Sequence, residues 1–166
     1  MPLPSCAGSR SKPKQGSIRY DRFGRHDVTL TLAEAQAMAA AVQDAATTRA
    51  LQPLAIVVLD AGSHDLVVLR SERAGFYRVE IARAKATSCL GMGLDGAELA
   101  DRAKAAPAFY AALAATMSGG MLPMPGGVLL RDATGMVVGA VGVSGDTGAN
   151  DDLAIRDGLT AVRQTS

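Results

Sequence analysis

His26 and His64 are the chain's two histidines, and each is a candidate axial ligand for heme iron, a role that one neutral imidazole can fill. His64 falls in a Gly-Ser-His-Asp turn between two apolar runs, where a solvated polar residue is the plain alternative. His26 lies just before the first expected helix. A closed zinc site is not expected, because the sequence has no Cys-x-x-Cys pair and no His-Glu-x-x-His pattern.

A second chemistry is conceivable around cations. Arg70 ends an expected strand and Lys85 lies on the helix that follows, so the two can converge on a carboxylate. Glu80 or Asp60 would then move protons, Glu80 only if partly desolvated, in an enzyme acting on a small organic acid: a deaminase, hydrolase or isomerase. Arg70 and Lys85 read equally well as two surface cations. Ser144 stands in Gly-Val-Ser-Gly-Asp, where the closing glycine of a nucleophile elbow comes one place early and no Ser-His-Asp set accompanies it. The same turn can offer backbone N–H groups to an anion at a helix N-terminus. Asp146, Asp151 and Asp152 oppose that, and their ordinary role there is to complement the helix dipole. Pro125-Gly126-Gly127 permits close approach of a ligand or of another backbone.

The elements that must position these residues follow from patterning. Thr31 with Glu34 forms a capping box ahead of a helix that fades near Arg49. Residues 54–61 are a nearly continuous apolar run, expected to form a strand covered on both faces. Residues 66–70 return as its antiparallel partner. A helix is expected over 76–90, with Val79, Ala82, Ala86 and Cys89 inward and Arg78, Glu80, Arg83 and Lys85 on other faces. Shorter helices over 95–104 and 108–117 precede a hairpin over 124–145, turned at Asp132 to Gly135, and a closing helix over 151–162. Helices packed over antiparallel hairpins describe an α+β domain.

The chain has 166 residues, 48% apolar and 4% aromatic, with no Trp, which gives one domain with a core of small aliphatics. The scarcity of aromatics disfavours stacking platforms for single-stranded nucleic acid. Residues 1–25 carry six Lys or Arg against one Asp, and the remainder 11 basic against 15 acidic residues. The expected organisation is a flexible basic arm over residues 1–26, read as a solvated extension, and a domain over 27–166. Two cysteines, Cys6 and Cys89, are too few for a disulfide framework and fit a reducing compartment. With no signal-peptide core and no membrane-length apolar run, a cytoplasmic protein without membrane partners is expected.

Three segments, VVLDAGSHDLVVLR, IARAKA and LPMPGGVLLRDATGMVVGAVGVSGDTGANDD, resemble the GlcG/HbpS family, to which PduO C-terminal domains are related. Val58, Asp60, Gly62 and His64 match its Val-x-Asp-x-Gly-Gly-His-Leu hairpin, and Ile81, Ala82, Lys85 and Ala86 match its Ile-Ala-x-x-Lys-Ala helix. Pro125, Gly126, Gly127 and the run from Val138 to Gly145 match its third motif. Ser63 and Asp65 depart from it, at places where glycine and an apolar residue are usual. The resemblance covers about Leu30 to Val162 and implies a profilin-like α/β/α arrangement around a five-stranded antiparallel sheet, assembled into homo-oligomers. Some relatives bind heme or release its iron, and others lie among genes for catabolism. By resemblance, heme or a related tetrapyrrole is the expected small-molecule ligand, with His64 or His26 on the metal and His64, Gly126, Gly127 and Ser144 around the cofactor.

Overall fold

The computed structural model describes residues 30–117 and 120–165. Helix α1 (Leu32–Thr48) opens with the expected capping box: the Glu34 N–H donates to Thr31 Oγ1 at 3.2 Å, and the Thr31 N–H donates to Glu34 Oε2 at 2.8 Å. A hairpin of β1 (Ala55–Asp60) and β2 (Asp65–Arg70) follows, then α2 (Arg78–Met92), α3 (Gly96–Ala105) and α4 (Pro107–Thr116). A second hairpin, β3 (Gly127–Arg131) and β4 (Val137–Ser144), leads into α5 (Gly148–Thr165). The arm over 1–26, with Cys6 and His26, lies outside the described residues.

The strands form one antiparallel sheet in the order β2-β1-β4-β3. Alternation along the strands sorts the side chains. Ile56, Val58, Val141 and Val143 point to the layer of α1 and α5, where Ala39, Val42 and Ile155 meet them. Val57, Leu59, Leu129 and Ala140 point to the opposite layer, onto Ala82, Ala86 and Cys89 of α2 and Leu99 of α3. Central strand β1 is therefore apolar on both faces, as its sequence requires. Small residues let the layers close: a Cβ at Gly142 would run into the Ala82 carbonyl oxygen, so α2 lies directly on the backbone of β4.

The sheet has four strands among the described residues, where the family resemblance implied five. The segment over 120–126 approaches β4 without joining it as a strand. Pro123 and Pro125 have no N–H to give a ladder, and the link to β4 is the Val143 N–H donating to Gly126 O at 2.8 Å. No helix of the described residues is long and apolar enough to cross a membrane.

Candidate functional site

Lys85, expected on a face other than the apolar stripe, lies on the buried side of α2. One position along the chain separates it from the Ala82, Ala86 and Cys89 stripe, close enough for its long stem to enter the core edge. Its side chain is 4% exposed, and its Nζ donates to Asp151 Oδ2 of α5 at 2.8 Å and to Val143 O of β4 at 2.9 Å. The other carboxylate oxygen, Asp151 Oδ1, accepts from the Asp146 N–H at 3.0 Å. Burial pushes the Asp151 carboxyl above its ordinary range, in spite of the opposing Lys85 ammonium and the Asp146 N–H.

Gly126 and Gly127 belong to this bracket. Both are buried, and the close approach they permit is to protein atoms. A Cβ at Gly126 would sit 2.8 Å from Lys85 Nζ and 2.8 Å from Asp151 Cβ, and one at Gly127 would sit 2.7 Å from Cys89 Sγ. Gly126 also has φ +96°, open to glycine and strained for other residues. Burial pushes the neighbouring Cys89 thiol up to about 12, so it is an inert packing residue.

The hairpin turn between β1 and β2 is built on Asp60. Its Oδ1 accepts from the N–H groups of Gly62 at 2.8 Å and His64 at 2.9 Å, and the His64 ring lies over Gly62. His64 Nδ1 stands 3.1 Å from Asp60 Oδ2 and 3.2 Å from Oδ1, with its side chain 72% exposed. A carboxylate on Nδ1 favours the tautomer with the proton there and the lone pair on Nε2. Partial burial raises the Asp60 carboxyl, but hydrogen bonds from the His64 N–H, the His64 ring and the Gly62 N–H outweigh it and hold the group below its usual range.

Ser63, in the same turn, has φ +65°, which explains why a glycine suits that position. Its hydroxyl meets Thr87 of α2 at 3.2 Å. Asp65, where an apolar residue was usual, receives Arg83 of α2 at 2.7 Å. A bulge opposite Val58 and Leu59 turns Asp65 onto the α2 side of the sheet, so the polar residue finds a cation there.

The remaining expected site residues make hydrogen bonds with other partners or face solvent. Arg70 is exposed on edge strand β2 and donates to the carbonyl oxygens of Glu72 and Ala74. Lys85 is enclosed with Asp151, and the hydrogen bonds of Arg70 and Lys85 go to different partners. Glu80 is exposed on α2. Ser144 is fully buried and its Oγ accepts from Arg78 Nη1 at 3.2 Å. Among the described residues no group of three or more His, Cys, Asp or Glu side chains could hold a metal ion.

This frame agrees with what is known of similar chains. A model of the family described as haem-degrading and HbpS-like matches residues 30–160. The chain belongs to the HbpS-like family. Among solved structures, HbpS is similar with a TM-score of 0.71 and 29% identity, over 83% of this chain and 93% of that one. Protein ORFY of Klebsiella pneumoniae gives 0.75 and 27%, over 92% and 98%. The PduOC–heme complex shares the fold, at 0.73 and 24% identity over 81% and 95%. No curated protein matches the chain in sequence.

Two features of this HbpS-like domain escaped the sequence reading. Asp151, whose expected role is to complement the helix dipole, partners a lysine 66 positions away. Arg78, expected on a face other than the apolar one, is half-buried at the start of α2 and reaches Ser144 at the sheet end. The signal for Asp151 was available in Lys85: a lysine beside an alanine stripe needs a buried anion.

Proposed function

We propose that this protein binds an iron tetrapyrrole, heme foremost, with His64 as an axial ligand. The observation that carries the reading is the Asp60–His64 pair: an exposed imidazole with a carboxylate oxygen 3.1 Å from its Nδ1. Carboxylate-held imidazoles are ordinary metal ligands. A single imidazole suits iron whose equatorial positions are already filled by a macrocycle, and the described residues offer no side-chain cage for a bare ion. The family's description as haem-degrading and the heme complex of the PduOC relative support the same ligand. Bound heme would supply the redox-active iron, and this chain's part is to ligate, orient and shield it.

Hemin titration followed by absorbance tests the reading. Wild-type protein is expected to shift the Soret band, and His64→Ala to alter that shift. His26→Ala measures the contribution of the other histidine. A wild-type protein that leaves the hemin spectrum unchanged defeats the proposal. A shift identical in His64→Ala and in the double variant removes the histidine ligand.

A further inference from the structure

We infer that a second site lies at the C-terminal end of α1, where a cavity of about 180 Å³ opens to solvent. Its ligand would be a compact zwitterion, an α-amino acid with a short aliphatic side chain. Glu72 would receive the ammonium and Arg73 the carboxylate, over a floor of Ala46, Leu51 and Leu54. The inference does not depend on the tetrapyrrole reading. Leu54 precedes β1 and Ser71 follows β2, so the cavity lies at the end of the sheet opposite the His64 turn.

The floor comes from the way α1 stops. The Ala50 N–H donates to Thr47 O at 2.9 Å and the Leu51 N–H to Ala46 O at 3.0 Å, the two bonds of a Schellman turn. Ala50 reverses the chain with φ +52°, at the position where glycine is usual. Leu51 then packs on the core cluster that holds Ala46 and Leu54. Gln43 and Thr47 stand one turn apart on the flank of α1 beside this floor.

The facing wall is a tight turn. The Ala74 N–H donates to Ser71 O at 2.9 Å, which puts Glu72 and Arg73 at the two corner positions. The Ser71 N–H ties the turn to Leu54 O at 2.9 Å, and the Arg70 guanidinium clasps the carbonyl oxygens of Glu72 and Ala74. Gln52 is held through its N–H, which donates to Asp146 Oδ2 at 3.0 Å. A lining anchored through its backbone is largely formed before a ligand arrives.

The polar side chains of the lining have no such partners. Gln43, Gln52, Glu72 and Arg73 make no side-chain hydrogen bond or ion pair among the described residues. Glu72 and Arg73 are neighbours of opposite charge that do not pair with each other. Other charges nearby are engaged: Arg49 with Asp157, and Asp146 with backbone N–H groups and Asn150. One carboxylate and one guanidinium suit a ligand that carries both signs, since a singly charged one sets like charges against each other. The two amides add donors and acceptors for either end. The volume is that of about six waters in the liquid, which admits a small amino acid and excludes a macrocycle.

Calorimetric titration of the full-length protein tests the site, with L-valine as the zwitterion and isobutylamine and isovalerate as its single-charge counterparts. L-valine is expected to bind about tenfold or more tightly than either counterpart. Glu72→Gln should weaken L-valine to the level of isovalerate, and Arg73→Gln to that of isobutylamine. Thr47→Trp, at an exposed position on the rim, should close the cavity and abolish binding. Circular dichroism checks that each variant keeps the fold. Absence of L-valine binding by the wild type overturns the inference. So does a wild-type affinity for L-valine no better than for one counterpart, or an affinity that Glu72→Gln and Arg73→Gln both leave unchanged.

Discussion

Two pairs of a base and a carboxylate have nearly the same separation, 2.8 Å for Lys85–Asp151 and 3.1 Å for His64–Asp60, yet lie in opposite surroundings. The first is shut between α2, β4, α5 and the Gly126 bend, with side chains 4% and 1% exposed. The second crowns a hairpin, with its imidazole outside. Burial makes the first pair a tie between layers of the sandwich, because neither charge can be left alone there. Exposure leaves the second at the surface, its imidazole in contact with solvent while the carboxylate orients it. The same separation therefore has different consequences in the core and at the surface.

The largest expected effect comes from breaking the buried pair. Lys85→Met leaves Asp151 enclosed without its cation and should cost about 3–5 kcal/mol of unfolding free energy. Urea denaturation measures this. Lys85→Met with Asp151→Leu removes both charges and should recover most of the loss, since a buried pair is about neutral against apolar residues of similar volume. A double variant as unstable as the single one would show that the bracket does more than satisfy its own charges. Either variant should leave hemin binding per folded molecule unchanged if the two regions are as separate as their burial indicates.

Much of this frame was legible because it depends on local rules. The Thr31 capping box, the apolar β1 run and the Asp132 turn are each settled within a few residues. The Ser63 and Asp65 departures were visible too, and each has a local cause in the turn and the bulge. Lys85–Asp151 was not legible, since it joins segments 66 positions apart through the close packing of Gly126 against both. Arg78 was hidden for the opposite reason. Its place beside Ser144 depends on which end of the sheet the α2 N-terminus covers, and no spacing in α2 encodes that. The fifth strand came with the family resemblance and has no counterpart in the proline-interrupted 120–126 segment.

A smaller effect is expected inside the exposed region. Ser63 holds a left-handed conformation at φ +65°, which costs a non-glycine residue about 1 kcal/mol, so Ser63→Gly should stabilise the fold by about that amount. Loss of the Ser63–Thr87 contact works against it, and as an exposed hydroxyl pair that contact contributes less. A thermal melt with a raised midpoint and an unchanged hemin spectrum would place strain, not function, at this position. A lowered midpoint would mean that the Thr87 contact anchors the turn to α2 more strongly than its exposure indicates.

The smallest effect is one of pH, and it has opposite signs in the two pairs. Asp60 is held below its ordinary 3.8, so its contribution to stability is present above that value and is lost as pH falls through the lower, folded one. Asp151 is raised by burial, so its own contribution is present at acid pH and is lost as pH rises through its folded value. Asp60→Asn keeps an oxygen to accept the Gly62 and His64 N–H groups but cannot titrate. Urea midpoints taken from pH 6 down to pH 3 should therefore fall less in Asp60→Asn than in the wild type, with the curves diverging only below about pH 4. Parallel curves would mean that the turn binds the charged and neutral carboxyl equally well. Asp60 would then hold the turn through hydrogen bonds that do not depend on its charge.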